Sequence, residues 1–174
     1  MIHAQRIPAV KERIRQLLTE NFCPLELANE ILASDTNRDC LIRPYLGRRR
    51  VSRPSRFRAF SLRNYPLHID QMEELAIPEE DICGYARAMA EALAVMHWVG
   101  EVDGNDVEFV LAAPNDGPGK DKKTGGHIWA NALEAHQMWV LDFDLVRDMP
   151  IDEHGVRQAV AAFLKKRPLL SKAG

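Results

Sequence analysis

The stretch from Pro78 to Trp98 constrains this chain more than any other, because its pattern suits little besides one long helix. Ile82, Tyr85, Ala86, Met89, Leu93 and Met96 recur at helical spacing, with Glu80, Arg87 and Glu91 on the opposite side. Ala88, Ala90, Ala92 and Ala94 let neighbours pack closely, and Glu79 and Glu80 follow Pro78 at the positive end of the helix dipole. His97 falls four residues after Leu93 and shares its face, as a structural histidine bonded to a loop or as a catalytic one. An acidic turn, Val102-Asp103-Gly104-Asn105-Asp106, comes next, then a strand pattern at Val107–Leu111 and another at Met138–Asp144. The residues between the two strands, about 114–126, have the composition of a flexible loop, and their glycines lack the spacing of a phosphate-binding loop.

The N-terminal half reads as shorter pieces. A helix is predicted from Pro8 to Asn21, and a second opens at Pro24 with Leu25, Ala28, Ile31 and Leu32 on one face, closing at the Ser34–Asn37 turn. Cys40–Gly47 reads as a strand that Pro44 confines to an edge or a bend, and Phe57–Leu62 as another. The basic run Arg48–Arg58 between them can grip phosphate or an acidic partner, or form a solvated hairpin tip balanced by acids elsewhere. Asp70 with Glu73 resembles a capping box for a short helix through Leu75. Pro150 and Asp152 introduce a last amphipathic helix carrying Val156, Val160, Ala161, Phe163 and Leu164, which Arg167-Pro168 ends.

These elements sum to a helix-rich α+β fold with a small sheet, in one domain spanning residues 1–174. At 46% hydrophobic residues and a formal charge of -2, the chain can bury a core but lacks the dominant basic face that nucleic-acid binding needs. No apolar run approaches the roughly 20 residues that span a bilayer, and Met1–Arg6 lacks a signal-peptide layout, so the expectation is a cytoplasmic protein without membrane contact. Cys23, Cys40 and Cys83 suit neither a disulfide framework nor a Cys-x-x-Cys metal site, and read as buried free thiols.

Several blocks together resemble a fungal domain family of unknown function, loosely described as zinc-finger protein. They are Asp39–Arg48, Phe60–His68, Met89–Trp98, Asp106–Leu111 and Trp139–Asp144. Without paired Cys/His spacing, that description implies no zinc site here. The order of helix, acidic loop, strand, excursion and strand ending in Asp-Phe-Asp also resembles a protein-kinase C-lobe. That likeness aligns Asp103, Glu108 and Asp142 with the catalytic-loop Asp, the metal-holding Asn and the strand-end Asp of kinase-type phosphotransferases. Glu108 departs from the Asn, Glu101 stands where a His is usual, and no glycine-rich loop or strand lysine precedes the first helix. The resemblance therefore implies a reduced kinase-like C-lobe with no N-lobe, and ATP-dependent phosphotransfer is not expected.

What such a lobe would retain is a cleft. Its expected catalytic residues are Asp103, Asp142, His97 and Glu108, and its expected ligand-binding residues are Tyr65, Met96, Trp98, Trp129, Trp139 and Asp144, with no metal and no cofactor. The expected function is binding of a small organic molecule in this aromatic and acidic cleft, with turnover as a cofactor-independent isomerase or cyclase of fungal natural-product biosynthesis. The alternative is a non-catalytic, pseudokinase-like module that meets a protein partner through the Arg48–Arg58 loop.

Overall fold

The computed structural model describes residues 6–50, 60–115 and 126–165. In chain order its elements are α1 (Glu12–Phe22), α2 (Ala28–Ala33), β1 (Ile42–Tyr45), β2 (Tyr65–His68), α3 (Ile69–Glu74), α4 (Glu79–Trp98), β3 (Glu108–Ala112), β4 (Ile128–Asn131), β5 (Glu134–Leu141) and α5 (Glu153–Lys165). Among the described residues five α-helices and a mixed sheet of order β2-β1-β3-β5-β4 make the fold α+β. The chain forms two compact units, the first running to Ile82 and resuming at Val110–Trp139, the second comprising Cys83–Phe109 and the residues from Val140 onward. No helix among the described residues is long and apolar enough to cross a membrane.

In the first unit Ile14 and Leu18 of α1 are buried with Ile42, Leu62, Leu67 and Met72. Arg15 on the same helix donates to the Leu32 carbonyl at 2.9 Å and ties α1 to α2. Helix α1 starts at Glu12 rather than Pro8, because the Val10 N–H donates to the Cys40 carbonyl and holds that segment extended. Only a 3-10 turn, Leu25–Leu27, follows Pro24 before α2, and Leu25 is 90% exposed instead of sharing a buried face.

Strand β1 pairs in parallel with β2 from Ile42↔Tyr65 to Tyr45↔His68, and meets antiparallel β3 at Ile42↔Leu111. Pro44 thus lies in an inner strand and not at an edge, the first of its two expected settings. The Leu41 carbonyl accepts from the Tyr65 N–H, so by alternation Pro44 presents its nitrogen away from β2, past the point where β1 meets β3. The strand expected over Phe57–Leu62 lies partly outside the described residues, and its described part is not a strand. Leu62 is buried there, but its N–H is taken by Asn37 Oδ1 at 2.9 Å, so a side-chain acceptor does the work of a neighbouring strand.

The cap of α3 is His68 with Gln71, not Asp70 with Glu73: the His68 N–H donates to Gln71 Oε1 at 3.0 Å. The acids turn instead to the described start of the basic run. Arg49 donates to both oxygens of Glu73, and Arg50 pairs with Asp70 and Glu74. Residues 51–58 of that run, 116–125 of the expected loop, and Arg167-Pro168 lie outside the described residues.

Strands β4 and β5 form an antiparallel hairpin, closed where Asn131 Oδ1 accepts the Leu133 N–H and Glu134 adopts φ +54°. Of the cysteines only Cys40 is buried, its thiol pushed up to about 12 by that burial, while Cys23 is half-buried and Cys83 exposed. Cys83 therefore departs from the buried-thiol expectation, because it occupies an outward turn of α4.

Candidate binding groove

The second unit is built on the end of α4. Val102 N–H donates to the Met96 carbonyl, and Gly104 at φ +58° brings the returning chain so close that a Cβ there would lie 3.4 Å from Leu93. Residues Glu101–Asp103 then run antiparallel to Arg147–Met149: Met149 N–H donates to Glu101 O at 2.7 Å, Val102 bridges Asp148, and Asp103 N–H donates to Arg147 O at 3.0 Å.

Asp103 holds this arrangement together. It is 2% exposed, and its carboxylate accepts from Asn105 N–H at 3.0 Å, Arg147 N–H at 3.1 Å, the Arg147 guanidinium at 2.8 and 2.9 Å, and Gln158 Nε2 at 3.0 Å. Burial alone would push this carboxyl up, but the bonds from Gln158, Asn105 and Arg147 outweigh it and hold the group below the usual carboxylate range. A carboxylate so fully occupied is a clamp between a loop and a helix, with little left to offer a substrate.

Helix α5 is capped by Asp152, whose Oδ1 accepts the Gly155 N–H at 2.9 Å. Gly155 and Ala162 are buried, and Gln158, on the same side, reaches Asp103 and the Asp148 carbonyl. The helix thus docks through small and polar residues. Its large apolar residues Val156, Val160, Phe163 and Leu164 are each about half exposed. Together with His97 and Trp98 from α4 and the Met149–Asp152 link, they line an open groove of about 440 Å³. A second niche, of about 510 Å³, shares Met149 and Pro150 with the groove and adds Val99, Gly100, Glu101 and Asp148.

Of the expected site residues, His97 and Trp98 line the groove, and Trp98 is 65% exposed. The His97 ring makes no hydrogen bond to another described residue. Met96 is half-buried with its sulfur beside Gly104, and Glu108 is half-buried at the start of β3. Asp142, at φ +67°, and Asp144 are exposed where the chain leaves β5, outside the groove lining.

Tyr65, Trp129 and Trp139 belong to the first unit. Tyr65 is buried and its hydroxyl accepts from Gln71, Trp129 is buried against the His136 ring, and Trp139 donates to the Ala113 carbonyl at 3.3 Å. The aromatic and acidic residues therefore do not assemble within either unit as one lining. Val156, Val160, Phe163 and Leu164 are among the groove residues that sequence reasoning did not assign to a site. Their helical spacing was visible, but spacing shows that residues share a face without showing whether anything covers it.

Among the described residues no three His, Cys, Asp or Glu side chains gather as a metal ion would require. A family described as "zinc finger protein", a domain of unknown function, matches residues 138–171. This is the stretch that carries the end of β5, the clamp arginine and α5, and it contains no cysteine. No curated protein and no solved structure matches the chain.

Proposed function

We propose that the second unit binds a small, largely apolar organic molecule in the groove between the end of α4 and α5. The observation that carries this reading is the orientation of α5, which packs through Gly155, Gln158 and Ala162 and turns Val156, Val160 and Phe163 into a concavity. A concave, mostly apolar surface of several hundred Å³ with a few polar groups has the character of a small-molecule site. His97 and Asp152 are the ionisable side chains of this lining. Catalysis there, as a cofactor-independent isomerase or cyclase, is a further step that rests on His97, the one imidazole of the groove lining. The fungal and kinase-like character inferred from resemblance remains part of this proposal.

A non-catalytic interaction module is the second reading, favoured by Val95, Phe143 and Leu145, which are exposed outside the groove. Titration with 1-naphthalenemethanol, a neutral apolar probe, followed by protein NMR tests the first reading. Shifts should centre on Trp98, Val160 and Phe163, and Val160→Glu should abolish them while leaving the fold intact, since Val160 is 51% exposed. Binding that survives Val160→Glu, or no binding, would leave the interaction module as the better account.

A further inference from the structure

Resting on the groove reading above, we propose that a second copy of this chain closes the groove: two molecules pack about a twofold axis, the apolar side of α5 in one against the same side in the other. The apolar face extends past the groove. Val99 belongs to the niche, which shares Met149 and Pro150 with the groove, and it is 78% exposed. With Trp98, Val156, Val160, Phe163 and Leu164 it makes one continuous face. Taking roughly 150–250 Å² for a whole aromatic side chain and roughly 100 Å² for an aliphatic one, the exposed parts of these six residues leave roughly 500 Å² of apolar surface in water. A homodimer interface of standard size buries roughly 800 Å² on each partner, about 65% of it apolar, which is nearly the same apolar area.

A small molecule alone does not cover this face. An occupant of about 440 Å³ leaves Val99 in water and has the open mouth of the groove above it, whereas ligand sites enclose most of their ligand. A twofold contact sets each residue near the axis beside its own copy, so a charge at its centre would face a like charge. The face meets that condition. Val156, Val160 and Phe163 follow one another at spacings of four and three, as helices that interlock require. Asp152, the one carboxylate of the groove lining, is turned to the first turn of α5 as its cap, and Glu153 and Arg157 neutralise each other at 2.9 Å. A strongly acidic or basic partner would find no counter-charge on the apolar residues of α5.

Sedimentation velocity of the full chain, with and without 1-naphthalenemethanol, tests the assignment. The chain should be mostly dimer at about 100 μM and mostly monomer at about 1 μM, the weak end of what an interface of this size supports. Saturating alcohol should strengthen the dimer about tenfold, because a molecule enclosed by two copies binds the dimer better than the monomer. Val99→Glu changes the face but not the groove lining, so it should stay monomeric at about 100 μM with an unchanged circular dichroism spectrum and bind the alcohol with the weaker affinity of the dilute parent. A parent that stays monomeric at that concentration overturns the second copy, and flotation of that monomer with phosphatidylcholine vesicles would give the face to a lipid surface instead. A dimer that survives Val99→Glu, or one that the bound alcohol does not strengthen, lies elsewhere on the molecule and overturns the assignment equally. The groove reading fails separately: the alcohol would then bind neither the parent nor the variant, whatever the oligomeric state.

Discussion

Asp103 and Asp142 carry the same functional group in opposite settings, which gives their substitutions opposite outcomes. Asn at 103 keeps the shape but removes the charge facing Arg147, and its amide brings a donor to a place where every partner is already a donor. Asp103→Asn should therefore cost about 3 kcal/mol in chemical denaturation. Asp142 is exposed with φ +67°, a conformation Asn adopts readily, so Asp142→Asn should change stability by less than about 0.5 kcal/mol.

Two buried titratable groups, Asp103 and His136, also separate along the pH axis. Asp103's folded carboxyl sits below its unfolded range, so its stabilisation is complete above the unfolded value and is lost as pH falls through the folded one, in the acid region. His136 in the first unit is 2% exposed, and burial lowers its basicity despite the Glu134 carbonyl and the charge of Asp81. The unfolded chain then binds the His136 proton more readily than the folded one, so stability falls as pH drops below about 6.5 and goes on falling until the folded group also protonates. Melting curves from pH 8 to pH 5 should show this loss, and His136→Phe should flatten that part of the profile.

Helix α5 offers a test in which local propensity and packing oppose each other. Ala exceeds Gly in helix propensity by about 1 kcal/mol, so Gly155→Ala in an exposed first turn would stabilise. Here a Cβ would fall on the Pro150 carbonyl and within 2.9 Å of the Met149 side chain. The substitution should cost about 3 kcal/mol net and open the Met149 wall of the groove, measurable as a lower melting temperature together with lost probe binding.

The same helix shows what a sequence can disclose. Asp152 as cap and the Val156, Val160, Phe163 spacing place α5, and Pro78 with Glu79 and Glu80 places the start of α4, because caps and periodicity act within a few residues. Strand β4 escapes the same reading, because its turn through Ala132 and Leu133 has no glycine and relies on Asn131 bonding its own backbone. The groove was also hidden. Its floor depends on Asp103 meeting Arg147 and Gln158, 44 and 55 residues away, a pairing with no local signal. His97 and Trp98, which line the groove, drew notice in the sequence because they end a strong helical pattern beside an acidic turn.

Across the whole molecule, apolar exposure is unevenly divided. Of twelve large hydrophobic residues exposed among those described, only Leu25 and Ile128 belong to the first unit. The first unit buries Ile14, Leu18, Ile42, Leu62, Leu67 and Met72, whereas on α4 Tyr85 alone is fully buried and Ile82, Met89, Leu93 and Met96 of its expected buried stripe are only half covered, with Ala86 exposed. The hydrogen-bonded clamp around Asp103 thus carries a share of the second unit's cohesion that a filled core would otherwise supply. A unit built this way presents apolar surface while remaining folded, so the native protein should raise the fluorescence of Nile red, a neutral reporter of apolar surface, at neutral pH and without denaturant. The paired variant Val160→Glu/Phe163→Ser should return the dye signal toward that of buffer with an unchanged circular dichroism spectrum, because both side chains are about half exposed. The opposite pairing of results, full dye binding in that variant, would place the exposed apolar surface elsewhere in the unit, at Val95, Phe143 and Leu145, and would count against the groove as its main acceptor.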